Sequence, residues 1–156
     1  MHSIHILALG SAQESWQKDA IEQYLTRLRP FAQVRLTELP DEAESPTATR
    51  ATIQKREADL ISKHIPQGSL LLALDETGKN LSSQEWAQLL AEEAERGIPL
   101  TCILGGASGL DPALRAKAQR VISLGKHTMP HMLARIVLLE QLYRAETILK
   151  GKTYHR

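Results

Sequence analysis

Five short apolar runs alternate along this chain with segments of helical periodicity. Strands that alternate with helices predict an α/β fold built on a mostly parallel sheet. A length of 156 residues suits a single domain, and we find no linker or repeat that would divide residues 1–156. The predicted strands are Ile4–Leu9, Val34–Leu39, Leu70–Leu74, Leu100–Leu104 and Val121–Leu124.

Apolar spacing and capping residues place five helices between and after these strands. A stripe repeating every four residues marks the first helix, and an acidic loop leads into a more polar second one. A capping box starts the third helix and a glycine ends it, while an Asp-Pro pair starts the fourth. The supporting residues are Trp16, Ala20, Tyr24 and Leu28; Asp41–Pro46 and Thr49–His64; Ser82, Glu85 and Gly97; Asp111, Pro112 and Gln119; and His131–Lys150.

The last predicted helix is apolar around much of its circumference, with Leu133, Ile136, Val137 and Leu142 on different sides. A surface helix needs only one apolar stripe. The surplus predicts that a second face of this helix is covered, and a partner copy of the chain would supply that cover.

Composition excludes several classes of protein. Cys102 is the single cysteine, so no internal disulfide forms, which suits a reducing compartment and predicts a cytoplasmic protein. No apolar run approaches the ~20 residues that cross a bilayer, so no membrane association is expected. Cys102 lies inside an apolar strand and is expected in the core rather than as a nucleophile.

Charge is distributed unevenly along the chain. Residues 115–156 carry nine Lys or Arg and two acids, whereas residues 1–114 carry ten basic and sixteen acidic residues. A basic C-terminal third can attract a phosphate backbone. The alternative is a solvated basic face that pairs with acidic groups of the same molecule.

Ligands of open α/β sheets bind beyond the carboxyl ends of the strands. Three predicted strand ends stand out: Leu74–Lys79, Leu104–Leu110 and Ser123–His131. The middle one carries Gly105, Gly106 and Gly109, and glycines permit close approach of a ligand to the backbone. The alternative is a tight turn without a ligand. The spacing and position do not match a dinucleotide fingerprint or a phosphate-binding P-loop.

Taken together, several motifs resemble one family. These are Ile6–Gly10, Leu72–Asp75 with Gly78-Lys79 and Ser82-Ser83, Ile103–Leu110, Leu124–His131, Arg135–Ala145 and Tyr154–Arg156. In this order and spacing they resemble the ribosomal RNA large-subunit methyltransferase H family, which are small SPOUT-class enzymes, and the resemblance covers the whole chain.

The resemblance implies a parallel-sheet SPOUT fold whose C-terminal part forms a trefoil knot. It implies a homodimer that uses S-adenosylmethionine, without a metal, to methylate N3 of a pseudouridine in helix 69 of 23S ribosomal RNA. The expected partner is this RNA within the assembled ribosome. By position, the cofactor pocket would comprise Leu74, Gly105, Gly106, Leu124, Gly125, Lys126, His127, Thr128 and Met129.

Candidates for proton transfer and RNA contact lie in the last third of the chain. His131 and Arg135 are one helical turn apart, with a helix-start histidine and an interface salt bridge as their alternatives. Tyr154 and His155 offer a stacking plane and a titratable imidazole, although chain ends are usually frayed. The RNA-binding candidates are Lys126, Arg144 and Arg156.

Two rival functions remain at the level of sequence. A non-catalytic RNA- or nucleotide-binding α/β module would be expected to lack the glycines of the ligand loop, yet Gly105 and Gly106 are present. An NAD-dependent α/β enzyme would carry its fingerprint after the first strand, where none occurs.

Overall fold

A computed structural model describes residues 1–156 and contains one five-stranded sheet in the order β2-β1-β4-β3-β5. Every neighbouring pair of strands is parallel, as the alternation of elements predicts. The elements are β1 His2–Leu9, α1 Ser15–Leu28, β2 Ala32–Leu39, α2 Arg50–Ser62, β3 Leu70–Asn80, α3 Ser83–Arg96, β4 Leu100–Leu104, α4 Pro112–Lys117, β5 Arg120–Ser123 and α5 His131–Leu149.

Side chains that alternate along the strands form two hydrophobic cores, one on each face of the sheet. Ile4, Ile6 and Ala8 of β1 point into the larger core with α1, α3 and α5. Leu7 and Leu9 point into the smaller core with α2 and α4. The chain is therefore a three-layer α/β/α domain, and the predicted fold class is confirmed; the trefoil knot stays a prediction.

The predicted helix ends are largely confirmed because their capping groups form the expected bonds. Ser82 accepts a hydrogen bond from the Glu85 amide while the Glu85 side chain accepts one from the Ser82 amide. Gly97 ends α3 in the left-handed conformation, with φ of 67°. Asp111 caps α4 through the amides of Ala113 and Leu114.

Strand β3 is longer than its apolar run predicts. It continues through Asp75–Asn80, which the sequence assigns to a loop, and pairs with β5 on both sides of a register shift between Leu74 and Lys79. The apolar pattern does not predict this extension because its side chains are polar. At Gly78, a Cβ would lie 2.6 Å from the Ile122 amide nitrogen, so only glycine allows this approach.

Two helices differ from the prediction. Helix α4 ends at Lys117 rather than Gln119, whose side chain instead accepts a hydrogen bond from the Leu71 amide. Trp16 belongs to the stripe that predicts α1 but is 52% exposed. The face that α1 buries carries Ile21 and Leu28, which lie seven residues apart.

Helix α5 lies between α1 and α3 on the larger core. These two neighbours cover most of the apolar surface that the sequence assigns to a partner subunit. Leu133 remains 39% exposed, and Ile136 and Val137 are half-buried. The surplus of apolar residues on α5 is thus mainly explained within one chain, and the homodimer stays a prediction.

Cys102 is completely buried in β4, and burial raises the pKa of its thiol to about 12. The prediction of a core cysteine is confirmed. None of the helices combines the length and apolar character needed to cross a membrane.

A buried histidine ties the start of β1 to the last turns of α5. The His2 imidazole bonds the Glu146 carboxylate, and their side chains are 13% and 1% exposed. The hydrogen bond to Glu146 is the main cause that raises the pKa of His2 above 6.5, and burial opposes it. The protonated histidine is therefore the form that stabilises the fold.

We expect this pair to make stability depend on pH. Because the folded pKa is raised, its contribution is complete below about pH 6.5 and is lost as pH rises through the folded pKa. Unfolding in urea at about pH 5.5 and about pH 8.5 should show a loss on the order of 1 kcal/mol in the wild type that is absent in His2→Gln. An identical pH dependence of both proteins would contradict the assignment.

Candidate functional site

A cavity of about 540 Å³ lies at the carboxyl ends of β3, β4 and β5. It is open on one side and has both polar and apolar walls, as small-molecule sites in α/β sheets usually have. Its walls include Arg50, Gln54, Leu74, Asp75, Gly105, Gly106, Gly109, Arg115, Leu124, Gly125, His127, Thr128, Met129 and His131.

This cavity brings together three strand ends that the sequence singles out. Of the predicted cofactor residues, Lys126 alone is absent from the wall; its side chain is exposed to solvent. His131, a candidate for proton transfer, also lines the cavity. The sequence therefore locates one shared site at this edge of the sheet.

The glycine loop after β4 is shaped by its own backbone. A Cβ on Gly105 would lie 2.7 Å from the Gly109 carbonyl carbon and 2.8 Å from the Leu110 nitrogen, so the loop closes tightly against itself. The Gly109 amide donates to the Gly106 carbonyl, and Gly109 has a φ of +78°. Gly105 is thus required by the loop itself, rather than by the ligand space that its position suggests.

Helix α2 holds this loop from the side. The Arg50 Nε and Gln54 Nε2 atoms both donate to the Ser108 carbonyl, at 3.0 and 2.6 Å. Both side chains also line the cavity. The sequence does not predict that Arg50 and Gln54 line the site. Nothing in the polar pattern of α2 indicates that this helix packs against the glycine loop, 54–58 positions away.

An ion pair also lines the cavity, where Arg115 Nη1 is 3.3 Å from Asp75 Oδ2. Burial acts to raise the pKa of Asp75, but hydrogen bonds from Thr77 and the Arg115 charge outweigh it and lower the pKa. Asp75 is therefore ionised at neutral pH. The pair supplies one carboxylate and one guanidinium to the cavity wall.

The loop between β5 and α5 supplies the third wall. The Ser123 hydroxyl donates to the Gly125 carbonyl and accepts from the Gly125 amide. Gly125 has a φ of +147°, a conformation that other residues rarely adopt. Its neighbours His127 and Thr128 are exposed beside the cavity, which gives a ligand polar groups close to backbone carbonyls.

His131 begins α5 and faces the end of β1. Its Nε2 lies 3.2 Å from the position a Cβ would occupy on Gly10, and Asp41 Oδ2 lies 3.1 Å from the same point. Glu57 approaches the glycine loop nearby, 3.5 Å from a Cβ on Gly106, and is 4% exposed. Burial is the main cause that raises the pKa of Glu57.

Arg135, the second candidate on α5, is 1% exposed. Its guanidinium bonds Glu38 at 2.6 Å and the carbonyls of Leu9 and Gly10 at 3.0 and 2.9 Å. Burial lowers the pKa of Arg135, and Glu38 opposes that effect. These contacts give Arg135 a structural task at the end of β1, so the structure does not support direct contact with a substrate within one chain.

The chain end is ordered against α5 rather than frayed. The Tyr154 ring packs edge-to-face on Tyr143 with centroids 4.7 Å apart, and its hydroxyl donates to Glu140 at 3.1 Å. Burial and the Glu140 carboxylate raise the pKa of Tyr154 to about 12. Arg144 lies 4.7 Å from the Tyr154 ring centroid and also bonds Glu140.

The C-terminal tail, Tyr154–Arg156, does not reach the cavity of its own chain. Its contacts begin at Glu140, six residues beyond the last cavity residue of α5, Ala134. A helix rises 1.5 Å per residue, so the tail is about 9 Å or more from the cavity along α5. His155 instead neighbours Gln84 and Arg144, and Arg156 is exposed.

Several cations of the basic C-terminal third have acidic partners within the chain. Arg115, Arg120, Arg135 and Arg144 pair with Asp75, Glu92, Glu38 and Glu140. Lys117, Lys126, Lys150, Lys152 and Arg156 have no such partner and are exposed. No group of three or more His, Cys, Asp or Glu side chains is arranged to hold a metal ion.

The sequence matches known proteins over nearly its whole length. A family model described as "Predicted SPOUT methyltransferase" matches residues 2–155. A protein named "Ribosomal RNA large subunit methyltransferase H" from Ralstonia pickettii strain 12J is 39% identical over 151 residues, covering 97% of each chain. A protein of the same name from Rhizobium meliloti strain 1021 is 43% identical over 157 residues, covering 98% of each.

A probable methyltransferase from Bordetella pertussis Tohama I has a similar crystal structure, with a TM-score of 0.58 at 13% identity, over 93% of this chain and 96% of that one. At that identity the likeness concerns the fold alone. The match to the family model and the identities of the relatives show that the chain belongs to the SPOUT methyltransferase family.

Proposed function

We propose that this protein transfers the methyl group of S-adenosylmethionine to N3 of a pseudouridine in helix 69 of 23S ribosomal RNA. The observation that carries the proposal is the cavity, where the three strand ends predicted to bind a ligand meet. The chain also belongs to a methyltransferase family. The names of its relatives support large-subunit ribosomal RNA as the substrate.

The residues of the cavity fit this cofactor. A volume of about 540 Å³ lies within the range of sites for such molecules. The glycine loop brings main-chain groups to the cavity surface, and Leu74 and Leu124 offer apolar contact for an adenine ring. Arg50 and Arg115 provide positive charge for a carboxylate, and Asp75 provides negative charge for an amino group.

When bound, the cofactor supplies a methyl group that its sulfonium already activates, so no metal is required. The chain must align the RNA base and remove the N3 proton. N3 lies between two carbonyl groups, and loss of its proton places negative charge on their oxygens. We assign proton removal to His131, which lines the cavity, and stabilisation of that charge to nearby cationic side chains.

Contact with RNA is assigned to cations without acidic partners. Lys126 is exposed beside the cavity in the loop before α5, and Arg156 is exposed at the chain end. Arg144 is already bonded to Glu140, so contact with a phosphate would compete with that pair. Exposed cations are the usual source of sequence-independent affinity for nucleic acid.

We also propose that the active form is a homodimer. The tail carries Tyr154, His155 and Arg156 but lies away from the cavity of its own chain. A partner subunit would allow the tail of one chain to reach the cavity of the other. The exposed Trp16 and Leu133 near the start of α1 and α5 provide apolar surface for such an interface.

The function is tested by methyl incorporation. Purified protein and isotopically labelled S-adenosylmethionine, with a chelator present, should label the large-subunit RNA of ribosomes that lack the modification. Free RNA, isolated subunits and whole ribosomes as separate substrates identify the form that is recognised. Binding of the cofactor without any methyl transfer to these substrates would instead favour the non-catalytic binding module.

A further inference from the structure

Two chemically active side chains lie beside Gly10, at the end of β1. Asp41 Oδ2 and His131 Nε2 lie 3.1 and 3.2 Å from the point that a Gly10 Cβ would occupy, which limits their separation to about 6.3 Å. Gly10 has a φ of +85°, so few other residues fit there and any side chain would enter the gap. A bridging water or a small rotation of one side chain closes such a distance.

The charges around His131 leave Asp41 as its available partner. Glu38 is committed to Arg135 and to the Ala12 amide. The Glu57 carboxylate accepts a hydrogen bond from the Glu42 amide and lies beside Gly106. Burial raises the pKa of this carboxyl group.

The remaining charged groups near this edge do not compete for the imidazole. Arg135 follows one turn later on α5 but bonds Glu38 and the carbonyls of β1. Arg50 bonds the Ser108 carbonyl, while His127 lies on the exposed loop that precedes α5. Asp41, in the exposed segment after β2, makes no hydrogen bond, and its charge acts on Arg135 and Glu57 without bonding either of them.

We propose that Asp41 is a positioning residue for His131 in methyl transfer, an inference that rests on the proposed function. Asp41 accepts a hydrogen bond from Nε2–H and so fixes the tautomer in which Nδ1 carries the lone pair. Nδ1 takes the N3 proton, and the N3 electron pair forms the bond to the methyl carbon. The carbon–sulfur bond breaks with its electrons on sulfur, which leaves a neutral thioether. The imidazolium, stabilised by the Asp41 carboxylate, then releases its proton to water.

The arrangement differs from a purely structural contact in its effect on the chemical step. A carboxylate near an imidazole stabilises the positive charge that forms when the ring takes up a proton, so removal of the carboxylate slows the step. Affinity for cofactor and ribosome stays unchanged.

The test compares Asp41→Asn with Glu42→Gln in the full-length protein. Both variants remove one negative charge from the same segment, but Glu42 pairs with the exposed Arg56. In Asp41→Asn, the ring ¹⁵N chemical shifts of His131, which report its tautomer, should change. The value of kcat should fall about tenfold with KM unchanged. Glu42→Gln should match the wild type, and Asp41→Glu should recover part of the rate.

The outcomes separate the two levels of the proposal. Unchanged ring ¹⁵N chemical shifts of His131 in Asp41→Asn, or a rise in KM at constant kcat, overturn the role of Asp41 while wild-type methylation stands. Absence of methylation by the wild type overturns the proposed function, and with it the catalytic use of the pair, whatever the NMR spectra show.

Discussion

Replacing Gly105 by alanine should abolish measurable S-adenosylmethionine binding. A Cβ there meets the backbone of Gly109 and Leu110 at 2.7 and 2.8 Å, and backbone cannot turn aside as a side chain can. The loop that forms one cavity wall must open, which displaces its main-chain groups by more than a cofactor contact tolerates. Titration calorimetry measures the loss.

Gly106→Ala is the matched control for this variant. It adds the same Cβ one position further along, where the nearest atoms are Glu57 Oε2 and Leu9 Cβ at 3.5 Å, an ordinary contact distance. We expect Gly106→Ala to keep its melting temperature and most of its cofactor affinity. Equal affinities of the two variants would show that the shape of the glycine loop does not determine binding.

Removing Tyr154, His155 and Arg156 should reduce methylation by at least about tenfold while cofactor affinity stays unchanged. The tail lies away from the cavity of its own chain, so the cofactor does not depend on it. Stacking of a base on an aromatic ring contributes ~1–3 kcal/mol, which explains the size of the effect. Loss of the Tyr154–Tyr143 contact should also lower stability by about 1 kcal/mol.

Mixing experiments show whether the tail acts on the partner subunit. Alone, the truncated protein should keep at most about a tenth of the activity, and full-length Gly105→Ala should have none. In a mixed dimer, the intact tail of the Gly105→Ala chain meets the intact cavity of the truncated chain. We expect part of the activity to return on mixing. Continued inactivity of mixed dimers verified by mass would contradict a tail that acts across the interface, and full activity of the truncated protein would dismiss the tail altogether.

Local signals in the sequence predicted most of the fold. Apolar runs gave the strands, and the bonds made by Ser82, Glu85 and Asp111 determine helix starts by contacts within a few residues. The extension of β3 was missed because polar residues pair there with β5, which is a long-range contact. Trp16 has the spacing of the stripe that predicts α1, but it lies in the first turn of the helix and its side chain is exposed.

The position of the cavity was predictable, but the contacts of individual residues were not. The carboxyl ends of parallel strands must meet at one edge, so Leu74, Gly105 and Leu124 could be joined from sequence. The burial of Arg135 beneath Glu38 depends on the packing of α5 against β1, which no local pattern encodes. The same holds for Asp41 and His131, which lie far apart in the sequence but 3.1 and 3.2 Å from the point that a Gly10 Cβ would occupy.

Mass-spectrometric mapping of helix 69 in ribosomes tests the central claim most directly. Ribosomes from cells that lack this protein should carry an unmethylated pseudouridine in helix 69, with the other modifications of the large-subunit RNA unchanged. Expression of the wild-type chain should restore one methyl group at N3, and Gly105→Ala should not. An N3-methylated pseudouridine that persists in the cells lacking the protein would contradict the account.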